Sequence, residues 1–169
     1  MPVKKLAVSG LCATIALAVY SIEAMLPPLL PVPGIKMGLA NVVTLLMLIY
    51  YKPGDAFCVL FVRILLAGIF GGQMISLLYS LSGGICCFMI MVTMNHFLRK
   101  KHLVMTSMGG ALAHNTAQIL MARVIIGSVS VYTYIPILMI SGMITGAFTG
   151  FVAGYACRHL KKSVREVEW

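Results

Sequence analysis

The sequence predicts an all-α polytopic membrane protein: six transmembrane helices forming one integral domain over residues 1–169. Three observations predict this. The chain is 60% hydrophobic and only 10% charged, whereas soluble domains carry about 25% charged residues. Its apolar residues fall into six runs, each of roughly 17–25 residues, as a bilayer of about 30 Å requires. Basic residues then cluster between alternate runs, the signature of positive-inside topology.

The first run, Leu6–Leu26, follows Lys4 and Lys5. It extends past a signal-peptide core without a convincing small-residue cleavage site and is read as a membrane span. The second is about Ile35–Tyr51. The third, Gly54–Phe70, follows the turn Lys52-Pro53-Gly54-Asp55. The fourth, about Met74–Leu98, is entered through Gly71-Gly72-Gln73 and loosened by Gly83-Gly84. The fifth is Leu103–Ile126, and the sixth is Tyr132–Cys157 with Pro136 in its first turns. Residues 158–169 read as a basic tail.

With the N-terminus inside, the inner side holds Lys4, Lys5, Lys52, Arg99, Lys100, Lys101, Arg158, Lys161, Lys162 and Arg165, against Lys36 alone outside. Both termini are therefore expected in the cytoplasm, in a multi-pass protein of a bacterial plasma membrane. This topology accounts for the net charge of +9. A nucleic-acid face would need basic residues along one surface, and here they come in short clusters. The basic tail reads as a topology determinant and anionic-lipid contact. The five cysteines lie in apolar runs without a CxxC and read as reduced packing residues.

Small residues mark helix contacts. Gly142, Gly146, Gly150 and Gly154 form a stripe on segment six, and Gly109, Ala113 and Ala117 repeat it on segment five. Segment one offers Ser9/Ala13, Cys12/Ala16 and Thr14/Ala18. Such stripes serve packing within the chain or docking to a partner membrane protein.

The chemistry-bearing inventory is short. The acidic residues are Glu23, Asp55, Glu166 and Glu168. They supply no intramembrane carboxylate pair for acid–base work and no aspartate cluster for magnesium diphosphate. No P-loop and no Ser-His-Asp or Cys-His spacing stands out. No second His stands at ligand spacing from His114, so neither a metal nor a cofactor is expected. The chain does not read as an enzyme acting alone.

Between segments one and two, Pro27, Pro28, Pro31 and Pro33 forbid regular helix. Irregular backbone at membrane depth survives where protein buries it or where it lines a cavity. Pro27–Lys36 is thus the first candidate for a binding site or a gate. Arg63 is mid-span, and an Arg at a helix centre costs about 2.5–3.5 kcal/mol unless it faces a cavity or partner. It either pairs with Glu23 or faces a bound anion. Arg123 either snorkels or joins Lys36 and Arg63 as a third outer-half cation, a set that an anionic ligand would complete. His114, Asn115 and Gln118 make a polar patch on segment five, either for interhelical hydrogen bonding or for a ligand. Asn41 and Gln73 stand at similar depth.

Pro33-Gly34-Ile35-Lys36-Met37-Gly38-Leu39-Ala40-Asn41, with His114-Asn115-x-x-Gln118 in segment five, resembles the family of component I of heptaprenyl diphosphate synthase, also called the Gx transporter family. That family is in turn similar to the S components of energy-coupling factor transporters. The resemblance implies a six-helix bundle with an outer-half pocket covered by the loop after the first helix. It implies docking through small residues on helix one to a scaffold carrying two ATPases. The expected ligand is a small anionic amphiphile, an isoprenoid, a quinone precursor or a vitamin-like compound. The alternative is a non-catalytic subunit partnering a soluble prenyl synthase in isoprenoid and menaquinone biosynthesis.

Overall fold

The computed structural model describes residues 3–25, 38–71, 74–98 and 102–165, except the side chains of Lys4 and residues 160–165. These residues form six α-helices: α1 Val3–Met25, α2 Asn41–Tyr50, α3 Pro53–Gly71, α4 Met74–Phe97, α5 Leu103–Ile126 and α6 Ile135–Arg165. A 3-10 turn, Val129–Tyr134, precedes α6. The expected segment boundaries are met closely at α1, α3, α4 and α5.

Two expectations are corrected. The second helix is ten residues long rather than a full span, about 15 Å at 1.5 Å per residue. It starts at Asn41 because Gly38, at φ 80°, turns the chain first. The last helix runs on to Arg165, so the start of the basic tail is helical.

Among the described residues, four helical stretches are long and apolar enough to cross a membrane: Lys5–Met25, Pro53–Gly71, Met74–Phe97 and Val129–His159. α5 has the length, at 24 residues, but its polar residues dilute its hydropathy. α2 covers only about half the hydrocarbon thickness.

Helix ends follow local chemistry. Pro53 opens α3, where its missing N–H costs nothing, and Lys52 O accepts from Asp55 and Ala56 N–H. Gly127, left-handed at φ 75°, closes α5 by donating to Arg123 O at 3.0 Å.

α5 packs between α4 and α6, while α1 lies on α3 and α2. Short α2 touches α1, α3, α4 and α6 and so sits inside the bundle. Lys5 Nζ pairs with Asp55 Oδ2 at 2.6 Å, and Tyr50 Oη donates to Cys157 O at 3.1 Å. These contacts gather the starts of α1 and α3 and the ends of α2 and α6 at one end of the bundle. One apolar core, built on Leu45, Met47, Leu60, Ile64 and Met91, fills the bundle on that side. A smaller one, Tyr79, Ile119, Ala122, Val131 and Leu138, fills the opposite side. Large apolar side chains such as Leu11, Ile22, Phe70, Phe148 and Phe151 cover the outside, as a lipid-facing surface requires.

The glycine stripe on α6 meets α5. A Cβ at Gly146 would lie 2.7 Å from Met108 Cα, and one at Gly150 would lie 2.6 Å from Val104 Cα. Gly154 faces open space. On α1, Ala13 and Ala16 pack inward while Thr14 and Ala18 stay exposed.

Candidate functional site

Polar side chains converge between the two apolar cores. Arg63 is the eleventh residue of α3, only 5% exposed. Its Nη2 donates to Asn41 Oδ1 at 3.3 Å. Arginine can only donate, so Asn41 turns its oxygen to Arg63 and its Nδ2 to His114 Nδ1, 3.5 Å away. These contacts run as a chain from α3 through α2 to α5.

Glycines make this approach possible. A Cβ on Gly38 would stand 2.8 Å from Asn41 Nδ2 and 3.2 Å from the His114 ring. Its φ of 80° disfavours a side chain as well. On α4, a Cβ at Gly83 would meet the His114 ring at 2.8 Å and Gln118 Cγ at 3.1 Å. Gln118 is fully buried.

Beside this chain lies a narrow cleft with room inside for about one water, lined by Tyr20, Glu23, Gly38, Arg63, Ser80 and His114 among others. Glu23 Oε1 accepts from Gly38 N–H at 2.6 Å, and Oε2 accepts from Leu39 N–H at 3.0 Å. Tyr20 and Ser76 hydroxyls meet at 3.3 Å between α1 and α4. A second hollow, a crevice too tight for a water, lies beyond Gly38 and Asn41, lined by Met91, Ser107, Ala111, Thr145 and Thr149. Several buried polar atoms have no hydrogen-bond partner among the described residues. They include Arg63 Nε, Asn115 Oδ1 and both amide atoms of Gln118.

The structure thus brings Glu23, Asn41, Arg63 and His114 together, with Gln118 at their edge. A Glu23–Arg63 ion pair is not formed: among the described residues the one ion pair is Lys5–Asp55. The Glu23 carboxylate is drawn to backbone amides that the Gly38 turn leaves free of helix bonding. Asn115 points elsewhere, donating to Leu138 O on α6 at 2.7 Å, because one residue along a helix is about 100° around it. Arg123 is partly exposed near the end of α5 and lines neither hollow. Lys36, Gln73 and the proline segment Pro27–Lys36 lie outside the described residues.

Sequence reading missed Tyr20, Ser80 and the Gly38–Leu39 amides. Tyr20 had a signal, since it stands three residues before Glu23 on the same helix face. Gly83 had one too, as a gap opposite a buried ring. Among the described residues no group of three His, Cys, Asp or Glu side chains stands ready for a metal.

The fold and cleft define a class: an all-helical, membrane-type bundle with a cation-bearing polar cleft in its middle. The family model for heptaprenyl diphosphate synthase component I matches residues 12–156, and the chain belongs to that family. No curated protein and no solved structure matches it. The family description names one component of a synthase, in keeping with a chain that is at most a non-catalytic subunit.

Proposed function

We propose that this chain is the membrane-embedded, non-catalytic component I of a heptaprenyl diphosphate synthase system in isoprenoid and menaquinone biosynthesis. It sits in the bacterial plasma membrane with both termini in the cytoplasm, and a soluble subunit supplies the catalysis. The observation that carries this is the family match over residues 12–156. The inventory of four acidic residues agrees, because diphosphate chemistry needs magnesium ligands that a partner would have to provide. The test is reconstitution with a soluble prenyl synthase subunit, farnesyl diphosphate and isopentenyl diphosphate. The chain alone should elongate nothing, and adding it should recruit the synthase to vesicles and change product length or yield. No co-purification and no change in product would defeat the proposal.

A second reading is favoured by the buried Arg63 cleft: a substrate-binding subunit of an energy-coupling-factor-like transporter. α2 starts inside the bundle beside Arg63, and half-helix starts of this kind receive anionic groups in membrane transporters. On this reading the ligand is a small anionic isoprenoid, quinone precursor or vitamin-like compound. Co-purification with a membrane scaffold and two ATPases, together with weaker ligand retention in Arg63→Ala, would favour it.

A further inference from the structure

The cleft also holds Glu23, in a role that neither reading gives it. Glu23 Oε1 and Oε2 are engaged by two consecutive backbone N–H groups, Gly38 at 2.6 Å and Leu39 at 3.0 Å. Gly38 is left-handed at φ 80°, and successive amides turned in this way form a concavity that suits an anion. The segment leads directly into α2. Its N-cap, Ala40, has no side-chain capping bond, so the positive end of that helix adds to the same potential. Arg63 lines the same cleft, 5% exposed, with Nε unpartnered among the described residues. A two-amide cradle and a buried cation with a spare donor therefore share one hollow, and the cradle is occupied by the chain's own carboxylate.

We infer that Glu23 is the resident occupant of an anion site. The cradle and Arg63 receive the carboxylate or phosphate head of a small ligand, which binds by exchanging with the Glu23 side chain. This rests on reading the cleft as a ligand site. Geometry favours exchange over addition. Both amides already donate to the Glu23 carboxylate, so a new anion reaches them by displacing it. Exchange keeps one anion on the cradle, and Glu23 stands two residues from the end of α1 at Met25. An intramolecular carboxylate acts at an effective concentration in the millimolar range. Removing it therefore opens the cradle to free anions at lower concentration.

The test uses the purified full-length chain in detergent, with hydrogen exchange read at the Gly38 and Leu39 amides. Acetate and inorganic phosphate are the probes, and chloride controls for ionic strength. Glu23→Ala should accelerate exchange at both amides. Acetate or phosphate should slow it again, saturably, at a midpoint at least 10-fold below any response of the wild-type chain. The recovery should vanish in Glu23→Ala/Arg63→Gln. Recovery by acetate alone assigns a carboxylate head, and recovery by phosphate alone assigns a phosphate head. Glu23→Met keeps a side chain of similar length without a carboxyl or amide oxygen and is read in the same way should Glu23→Ala not fold. No recovery with either anion in a folded variant, or recovery that survives loss of Arg63, overturns the inference. Either outcome leaves the reconstitution test of the proposed function standing independently.

Discussion

The seam between α5 and α6 and the cleft at the start of α2 both bury polar groups in an apolar bundle, yet they treat them differently. At the seam, Ser107 and Thr149 hydroxyls meet at 2.6 Å. Asn115 donates to Leu138 O at 2.7 Å, with its Oδ1 the atom left over. Gly142, Gly146 and Gly150 let the two helices close around these groups. At the cleft the bonds are long, 3.3 Å from Arg63 to Asn41 and 3.5 Å from Asn41 to His114. Arg63 Nε and the whole Gln118 amide lack partners among the described residues. A buried polar group costs about 1–3 kcal/mol when left unpaired. The seam spends its polar groups on holding helices together, whereas the cleft keeps groups whose presence lowers stability. Such retention is expected at a functional site.

Substitutions should therefore change stability in opposite directions in the two regions. The largest effect is expected at the seam. Gly146→Leu drives a side chain into the α5 backbone and should cost about 3 kcal/mol, read as thermal unfolding in detergent, while Gly154→Ala, facing open space, serves as its neutral control. A comparable loss in both would dissolve the distinction. At the cleft, Arg63→Met should raise stability by about 2 kcal/mol, because a buried cation gives way to an apolar side chain of similar length, and should abolish any response to acetate or phosphate. Destabilisation by Arg63→Met would make Arg63 a structural residue. Gln118→Leu removes two unpaired amide atoms and should gain about 1 kcal/mol in the same unfolding measurement. The smallest change is expected from Ser107→Ala, a loss of about 0.6 kcal/mol, the average for an interhelical hydrogen bond in a membrane. A larger loss would show that the seam depends on its hydroxyls more than on its glycines.

Much of this was legible in residue spacing. Four-residue glycine spacing marked one face of α6 for close approach, because a helix face repeats at nearly that interval, but not that α5 is the helix that fills it. His114 and Gln118 were legible as one face, and Arg63 as a cation needing company. The length of α2 was not legible, because Gly38-Leu39-Ala40 is apolar enough to continue a span; only the left-handed φ at Gly38 breaks it. Nor was the contact of Glu23 with the Gly38 turn. Side-chain types suggested an arginine, but the turn freed two backbone amides, and these carry no mark in the sequence. Asn115 was grouped with His114 because both reach Gln118 by spacing, and a rotation of about 100° between adjacent residues sends it to α6 instead.

The Lys5–Asp55 pair has a mechanical consequence. It ties α1 to α3 at one end, while Glu23 ties α1 to the Gly38 turn near the other. From Lys5 to Glu23 the helix rises through 18 residue steps, a rod of about 27 Å. Hinged at Lys5, that rod magnifies angle into displacement: a swing of about 5° carries the Glu23 end about 2 Å, further than a hydrogen bond can stretch and survive. α1 is thus a long arm with a small tolerance at its tip, and the fit of the Gly38 turn against Glu23 gauges the tilt of a whole helix.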